Sequence, residues 1–319
     1  MIINSLKTIN IMCNYCEKID MAKALDFAIR DCELQNRNNE YSSCYLIDGR
    51  EYWNYMSNES WERFKYAMTE EHRKEYEDAK GGELDPRNSR WGMLPPKMAS
   101  FGSSSRMIYN LSKDTPGFVF EKQMPTHVGH DANLDGHLLN DNTAVFVEAK
   151  CREIYSSHTN LDISDDYLKV YNYLREKNSK FSFDENESKE QKHFKCTFRY
   201  DDTVIKHFDL KQLICHFLGI TAALINNEIK TNNIKFIYLL FNPRSDADFS
   251  NGAIKHYEQE LKDQYDETIK EIEKFGDMKW LFECIMNYQI SRLRPSKVCY
   301  SFDFKLMDQK EYQNYLAEI

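Results

Sequence analysis

The sequence predicts an α/β protein, with a mixed central β-sheet flanked by helices and a mostly helical N-terminal extension in front of it. Three observations carry that expectation. Alternating apolar segments follow one another closely between Phe118 and Lys150, near enough for an antiparallel meander. Two later apolar strands, "IKFIYLLF" and "KVCYSFDF", are each reached through helical sequence, as crossover connections require. The intervening helices are amphipathic, so each has an apolar stripe to lay on the sheet.

Taken in order, residues 1–90 form the extension and residues 91–319 the main domain. The extension opens with a helix over roughly Asp20–Cys32, then a Tyr-rich stretch suited to short strands. "SNESWERFKYAMTEEHRKEYEDAKGGEL" reads as one helix, capped by Ser57 or Asn58, anchored by Trp61, Phe64, Tyr66 and Met68, and stopped at Gly81-Gly82. "DPRNSRWGMLPPKMASFG" reads as the hinge into the main domain. "SSSRMIYNLSKD" is a serine-capped helix. "GFVFEKQMPT", "ANLDGHLLND" and "TAVFVEAKC" are strands, the second turning at Asn140–Asn142. A helix follows around Ser164–Glu176. Within a polar insertion at about 155–205, "KNSKFSFDENESKEQKHFK" reads as an exposed loop. Asp209 caps a helix to about Glu228 with Leu210, Leu213, Ile214, Phe217 and Leu224 as its core stripe. After "IKFIYLLF", closed by Asn242-Pro243, come an amphipathic helix from Tyr257 to Phe275, a second through Trp280–Ile290, and the last strand.

Composition narrows the class. A chain of 319 residues, 41% hydrophobic and 29% charged, suits one large or two smaller globular domains rather than disorder. The longest apolar stretch, Ile214–Ile225, is broken by His216 and Gly219 and is too short for a membrane span. "MIINSLKTINIM" has no basic start, long apolar region or small-residue cleavage site, so the expectation is a soluble, cytoplasmic protein with no membrane partner. Nine scattered cysteines fit free thiols in a reducing compartment. Cys13, Cys16, Cys32 and Cys44 match no tight zinc ribbon or finger spacing. A net charge of −9 argues against coating nucleic acid by bulk electrostatics but leaves room for a locally basic groove.

The stretch "NLDGHLLNDNTAVFVEAKCRE" (133–153) holds the chemistry. Alternation puts Phe146, Glu148 and Lys150 on one face of the third strand, with Val145, Val147 and Ala149 on the other; Glu148 and Lys150 lie about 7 Å apart along it. Asp135 sits on the preceding strand, and the turn between brings it alongside. As an exposed pair at a sheet edge, Glu148 and Lys150 would contribute only about 0–1 kcal/mol. The run Thr143–Val147 instead reads as a central, buried strand. Two carboxylates about one point suit a hard cation such as Mg²⁺, with Mn²⁺ as a substitute and the Ala149 carbonyl as a further oxygen ligand. Lys150 is then placed to orient or deprotonate the attacking water, or to offset charge developing on a phosphate.

Asp135, twelve intervening residues, and Glu148-Ala149-Lys150 resemble the PD-(D/E)xK nuclease superfamily, the restriction-endonuclease-like fold. "NLDGHLL", "VFVEAKCRE", the upstream "SSSRMIYNL" and the later "FDLKQLICHFLGI" are similar to a bacterial family of restriction endonucleases, over roughly residues 90–300. Leu134 stands where the motif's name has proline. The resemblance implies a restriction-endonuclease-like core and Mg²⁺-dependent hydrolysis of DNA in restriction or defence, with Asp135 and Glu148 on the metal and Lys150 positioning water. It adds two assisting residues. Glu121 lies on the strand before Asp135, where many members carry an extra acid, and its alternative is an ion pair with Lys122 or Arg106. Gln212 lies in the first turn of the helix after the ExK strand, although about sixty residues separate it from Lys150. Lys211, His137 and Lys122 are weaker candidates for nucleic-acid contact.

His127, His130 and His137, near Asp131 and Asp135, raise a transition-metal alternative. His216, one turn past Gln212, reads most simply as helix packing. Two other functions compete: a repair or recombination nuclease acting on ends or junctions, and a nucleic-acid-binding protein of the same fold that does not cut. Duplex cleavage needs two active sites, which points to a homodimer, with the Tyr257–Phe275 helix as a candidate interface.

Overall fold

The computed structural model describes residues 19–36, 41–47, 50–79, 81–89, 92–140, 142–187, 193–293 and 298–319. Helix α1 (Met21–Asn36) leads into the hairpin β1 (Ser43–Ile47) and β2 (Arg50–Met56), then α2 (Asn58–Ala67) and α3 (Glu70–Asp78). The single helix expected over this stretch is thus two. Met68 is extended and buried, and Thr69 restarts the chain as an N-cap, its hydroxyl accepting from the His72 amide at 3.1 Å.

The expected hinge is a packed segment. It holds the short hairpin β3 (Arg87–Ser89) and β4 (Gly92–Leu94) and a 3₁₀ turn at Lys97–Ala99. Met98 and Ala99 are fully buried, and the Phe101 amide donates to the Asn54 carbonyl at 3.1 Å, so the segment is stitched to β2.

From there run α4 (Ser104–Ser112), β5 (Phe118–Met124), β6 (Ala132–Leu139), β7 (Thr143–Lys150), β8 (Leu161–Ser164), α5 (Asp165–Lys177), β9 (Phe181–Glu187), β10 (His193–Tyr200), β11 (Thr203–Val204), α6 (Leu210–Ile225) and β12 (Asn233–Leu240). After a short helical turn at Pro243–Asp246 come α7 (Glu258–Glu273), α8 (Lys279–Leu293), β13 (Ser301–Asp308) and α9 (Gln309–Glu318). The last strand starts later than "KVCYSFDF" suggests. The terminal helix, unforeseen, begins at a capping box between Asp308 and Glu311.

The central sheet has five strands in the order β13-β12-β7-β6-β5. β12 runs parallel to both β13 and β7, while β6 is antiparallel to β7 and β5, so the sheet is mixed as the sequence predicts. One face meets α6 through aromatics, Phe217 standing edge-on to Phe236 at 5.2 Å. The helix comes very close to the sheet at Gly219, where a Cβ would lie 2.9 Å from the Cβ atoms of Met124 and Ala132. The opposite face meets α3 and α4, with Phe120 packed against Tyr76 and Tyr109. Helices therefore cover both faces.

The polar insertion is not a loose loop. β10 pairs with β8, β9 and β11 in a second, four-stranded sheet. Phe181, Phe183, Cys196 and Phe198 are buried, and Tyr171 of α5 stands edge-on to Phe198 at 5.0 Å. The polar residues between these aromatics are the solvent side of a period-two pattern. Cys32 and Cys44 carry free thiols, while Cys13 and Cys16 lie outside the described residues. Among the described residues, no helix is long and apolar enough to cross a membrane.

Candidate active site

The central strands place the carboxylates. β6 and β7 pair Gly136 with Val147 and His137 with Phe146, and the same register carried one step further sets Asp135 beside Glu148. At that point the Asp135 carboxylate replaces a backbone partner, its Oδ2 accepting from the Ala149 amide at 2.6 Å. Glu148 is almost fully buried, and its Oε1 lies 2.6 Å from Lys150 Nζ. The same ammonium donates to Gln212 Oε1 at 2.6 Å. Asp209 caps α6 by accepting from the Gln212 amide at 3.0 Å, which fixes Gln212 in the first turn, facing the end of β7. The insertion between Lys150 and Gln212 is therefore looped out while its two ends meet.

Glu121 joins them from β5. It has a φ of 52° inside a strand whose pairing is regular on both sides, Phe120 with Gly136 and Lys122 with Leu134. Left-handed backbone is strained for a residue with a Cβ, and such strain concentrates at functional positions. The turned carboxylate accepts from the Ser105 hydroxyl at 3.3 Å. It pairs with neither Lys122 nor Arg106; Arg106 is instead bound to Glu33 of α1.

These side chains open into a cleft of about 360 Å³. Its floor holds Glu121, Asp135, Glu148, Lys150, Asn133 and Gln212. One wall is built by residues to which the sequence assigns no role at the site. Lys97 donates to Glu83 Oε1 at 2.7 Å and to the Gly81 carbonyl at 2.8 Å, and Ser103–Ser105 at the start of α4 stand beside Arg152 and Glu153. A second groove, about 450 Å³, lies between residues 203–207 and α7. Its Glu271 carboxylate is already taken by the amides of Lys206, His207 and Phe208, and none of the predicted site residues lines it.

The weaker nucleic-acid candidates are not brought into the cleft. His137 is buried in the sheet, stacked on Phe146, and burial together with Lys122 holds its ring down at about 4. The Lys211 ammonium donates to the Asp162 carbonyl at 2.7 Å, and Lys122 is exposed outside the cleft. His127 meets Asn226 rather than the other histidines. His216 is buried in the helix packing, as expected, and also stands against the site. It is 1% exposed, and its Nε2 lies 2.9 Å from Glu148 Oε2.

Charge divides the carboxylates. Burial pushes Glu148 up, but Lys150 and His216 outweigh it and hold the group down at about 2. Burial likewise pulls Lys150 down, yet Glu148 keeps it well above the ordinary lysine range. Asp135 is pushed well up by burial, then by Glu148 and Glu121. Glu121 is pushed up to about 8 by burial, with Glu83 and Glu148 adding to it. Glu148 and Lys150 thus stand as an ion pair, while Glu121, at about 8, retains a proton into the neutral range and Asp135 is shifted in the same direction.

A pH dependence follows. Between its ordinary value of 4.5 and its folded value of about 8, Glu121 holds a proton in the native state that the unfolded chain has released. Native stability therefore falls as pH rises through that window, and Asp135 acts with the same sign. In EDTA, the melting temperature should drop from about pH 6.5 to pH 8, above the range in which His137, held down at about 4, acts with the opposite sign. Glu121→Gly should flatten that drop and raise stability near pH 8, since glycine also accepts the left-handed backbone. A parallel pH profile in wild type and variant would refute this.

Among the described residues, no three His, Cys, Asp or Glu side chains converge as a ready metal cage. Mg²⁺ does not need one, because it commonly takes one or two carboxylates and keeps several waters. The donor chemistry fits: hard oxygens from adjacent strands, with Asp135 and Glu121 raised by burial and then by like charge, the second of which a divalent cation would relieve.

Comparison of the whole chain with protein-family models, with curated proteins and with solved structures finds no match.

Proposed function

We propose that this protein is a metal-dependent DNA endonuclease of the PD-(D/E)xK type, serving bacterial restriction or defence in the cytoplasm. The observation that carries the reading is the meeting of Asp135, Glu148 and Lys150 in one cleft, with Gln212 Oε1 2.6 Å from Lys150 Nζ. A buried Glu–Lys pair costs more to desolvate than an apolar pair of the same volume, so stability alone is a poor reason for it.

In this reading Asp135 and Glu148 would hold Mg²⁺ or Mn²⁺, with the Ala149 carbonyl as a further oxygen and Glu121 beside them. The ion supplies neutralisation of phosphate charge and a more acidic water. Lys150, kept protonated by its carboxylate neighbours, donates to the phosphate oxygen where charge builds and orients the attacking water; it does not act as the base. Gln212 holds the Lys150 ammonium at that point. Lys97 and Arg152, partly exposed on the cleft wall, stand where flanking phosphates of a DNA strand would pass. Cleavage of both strands calls for two such clefts, hence a homodimer.

The test is incubation of supercoiled plasmid and of linear DNA with Mg²⁺, Mn²⁺ or EDTA. Nicking or linearisation of the closed circle that requires the metal is the expected result. Trimming of linear DNA alone would favour an end-acting repair nuclease. Binding without cleavage, on methylated and unmethylated DNA alike, would overturn the enzymatic reading in favour of a binding role.

A further inference from the structure

We propose that His216 is a positioning residue for Glu148, holding the carboxylate oxygen that Lys150 does not hold; the proposal rests on the metal-dependent nuclease reading. Glu148 is flanked at both ends, Lys150 Nζ lying 2.6 Å from Oε1 and His216 Nε2 2.9 Å from Oε2. Gln212 and His216 are four residues apart on α6, so they share one helix face. Gln212 takes hold of Lys150, and His216 Nε2 is set against Glu148. One face of α6 thereby sets both members of the ExK pair relative to each other.

Packing alone does not account for the imidazole. His216 is 1% exposed, and its ring is 6.3 Å from that of Phe236. Its approach to Glu148 is bent, and neither ring nitrogen has a well-formed hydrogen bond among the described residues. An apolar side chain of similar size would fill that space without leaving buried nitrogens unsatisfied. What leucine would not do is face Glu148 Oε2 with a donor. Carboxylates that hold a metal are themselves oriented by such outer partners, and loss of one partner typically weakens metal binding about 10–100-fold.

The experiment is calorimetric titration of the full chain with Mn²⁺, for wild type, His216→Leu and His216→Gln, with melting curves in EDTA as the folding control. His216→Leu should still melt cooperatively in EDTA yet bind Mn²⁺ about 10–100-fold more weakly. His216→Gln, which restores a side-chain N–H, should recover most of that loss. Wild-type affinity in His216→Leu would overturn the proposal and leave the nuclease reading standing. Equal weakening in both variants would also overturn it, since shape rather than a donor would then be what matters. Absence of Mn²⁺ binding by the wild-type protein would instead overturn the metal-dependent reading, and the role of His216 with it.

Discussion

Lys150→Ala is expected to slow DNA cleavage by at least about 10²–10³-fold, the usual loss when a preorganised donor is removed from the place where charge develops. The lysine is suited to that role because its ammonium is fixed from two sides, by Glu148 Oε1 and by Gln212 Oε1, each at 2.6 Å. The same contacts make the substitution costly to the fold. Without Lys150 the buried Glu148 carboxylate loses its main counter-charge, and breaking a buried pair from one side costs about 3–5 kcal/mol. Burial would then prevail over what His216 supplies, and Glu148 would take up a proton. A second variant separates the two losses. Lys150→Ala combined with Glu148→Gln should regain most of the stability, since no charge is left unpaired, and should still fail to cleave. Urea denaturation reads the first effect and plasmid nicking the second. Wild-type cleavage by the folded single variant would rule out Lys150 as part of the machinery.

The part of the site read most directly from the sequence is the part built on regular strands. Period-two alternation puts Glu148 and Lys150 on one face, and a short turn brings Asp135 alongside; the central sheet has that geometry. What escaped was set by tertiary contact or by a local departure from the pattern. The strand containing Glu121 is legible, but its left-handed backbone is not, because no glycine or asparagine marks the position. His216 sits on an otherwise apolar helix, where a lone histidine is easily assigned to packing; its spacing of four from Gln212 was the available signal. The part of the cleft wall within "DPRNSRWGMLPPKMASFG" reads as a hinge because of its prolines and glycines. Its order comes from long-range bonds, such as Lys97 to Glu83 and Phe101 to Asn54. The insertion was misread for another reason. "KFSFDENE" and "HFKCTFRY" do alternate, but many charged residues hid the buried aromatics.

A second large effect on stability is expected at the junction between the extension and the strand end that carries Lys150. Asp26 of α1 is fully buried, and its Oδ2 accepts from Asn54 Nδ2 at 2.9 Å, Arg152 Nη1 at 3.0 Å and the Ser100 hydroxyl at 3.4 Å. Burial pushes this carboxyl up despite Arg152, so the site is costly to charge and is tolerable only while its partners stay in place. Asp26→Ala removes all three contacts and strands Arg152 on the cleft wall. A loss of about 3 kcal/mol is expected, at the low end for a buried pair broken from one side, because the Arg152 side chain is 30% exposed and water can reach it. Gly102 supplies an independent check on the same point. A Cβ there would lie 1.9 Å from Asp26 Oδ1 and 3.1 Å from its carboxyl carbon. Gly102→Ala should therefore cost about 1–3 kcal/mol through overpacking. In an Asp26→Ala background the obstructing carboxylate is gone, so the added cost of Gly102→Ala should nearly vanish. The two substitutions are then strongly non-additive, with an interaction of about 1–3 kcal/mol in a double-mutant cycle read by urea denaturation. Simple additivity would mean that Asp26 and Gly102 do not press on each other. In that case the extension would be held to the sheet chiefly by its apolar contacts around Tyr76, Tyr109 and Phe120, and cleavage should survive Asp26→Ala. If the cycle is non-additive, Arg152 and Lys150, two residues apart at the end of β7, are steadied by a helix far upstream in the chain, and loss of Asp26 should lower cleavage along with stability.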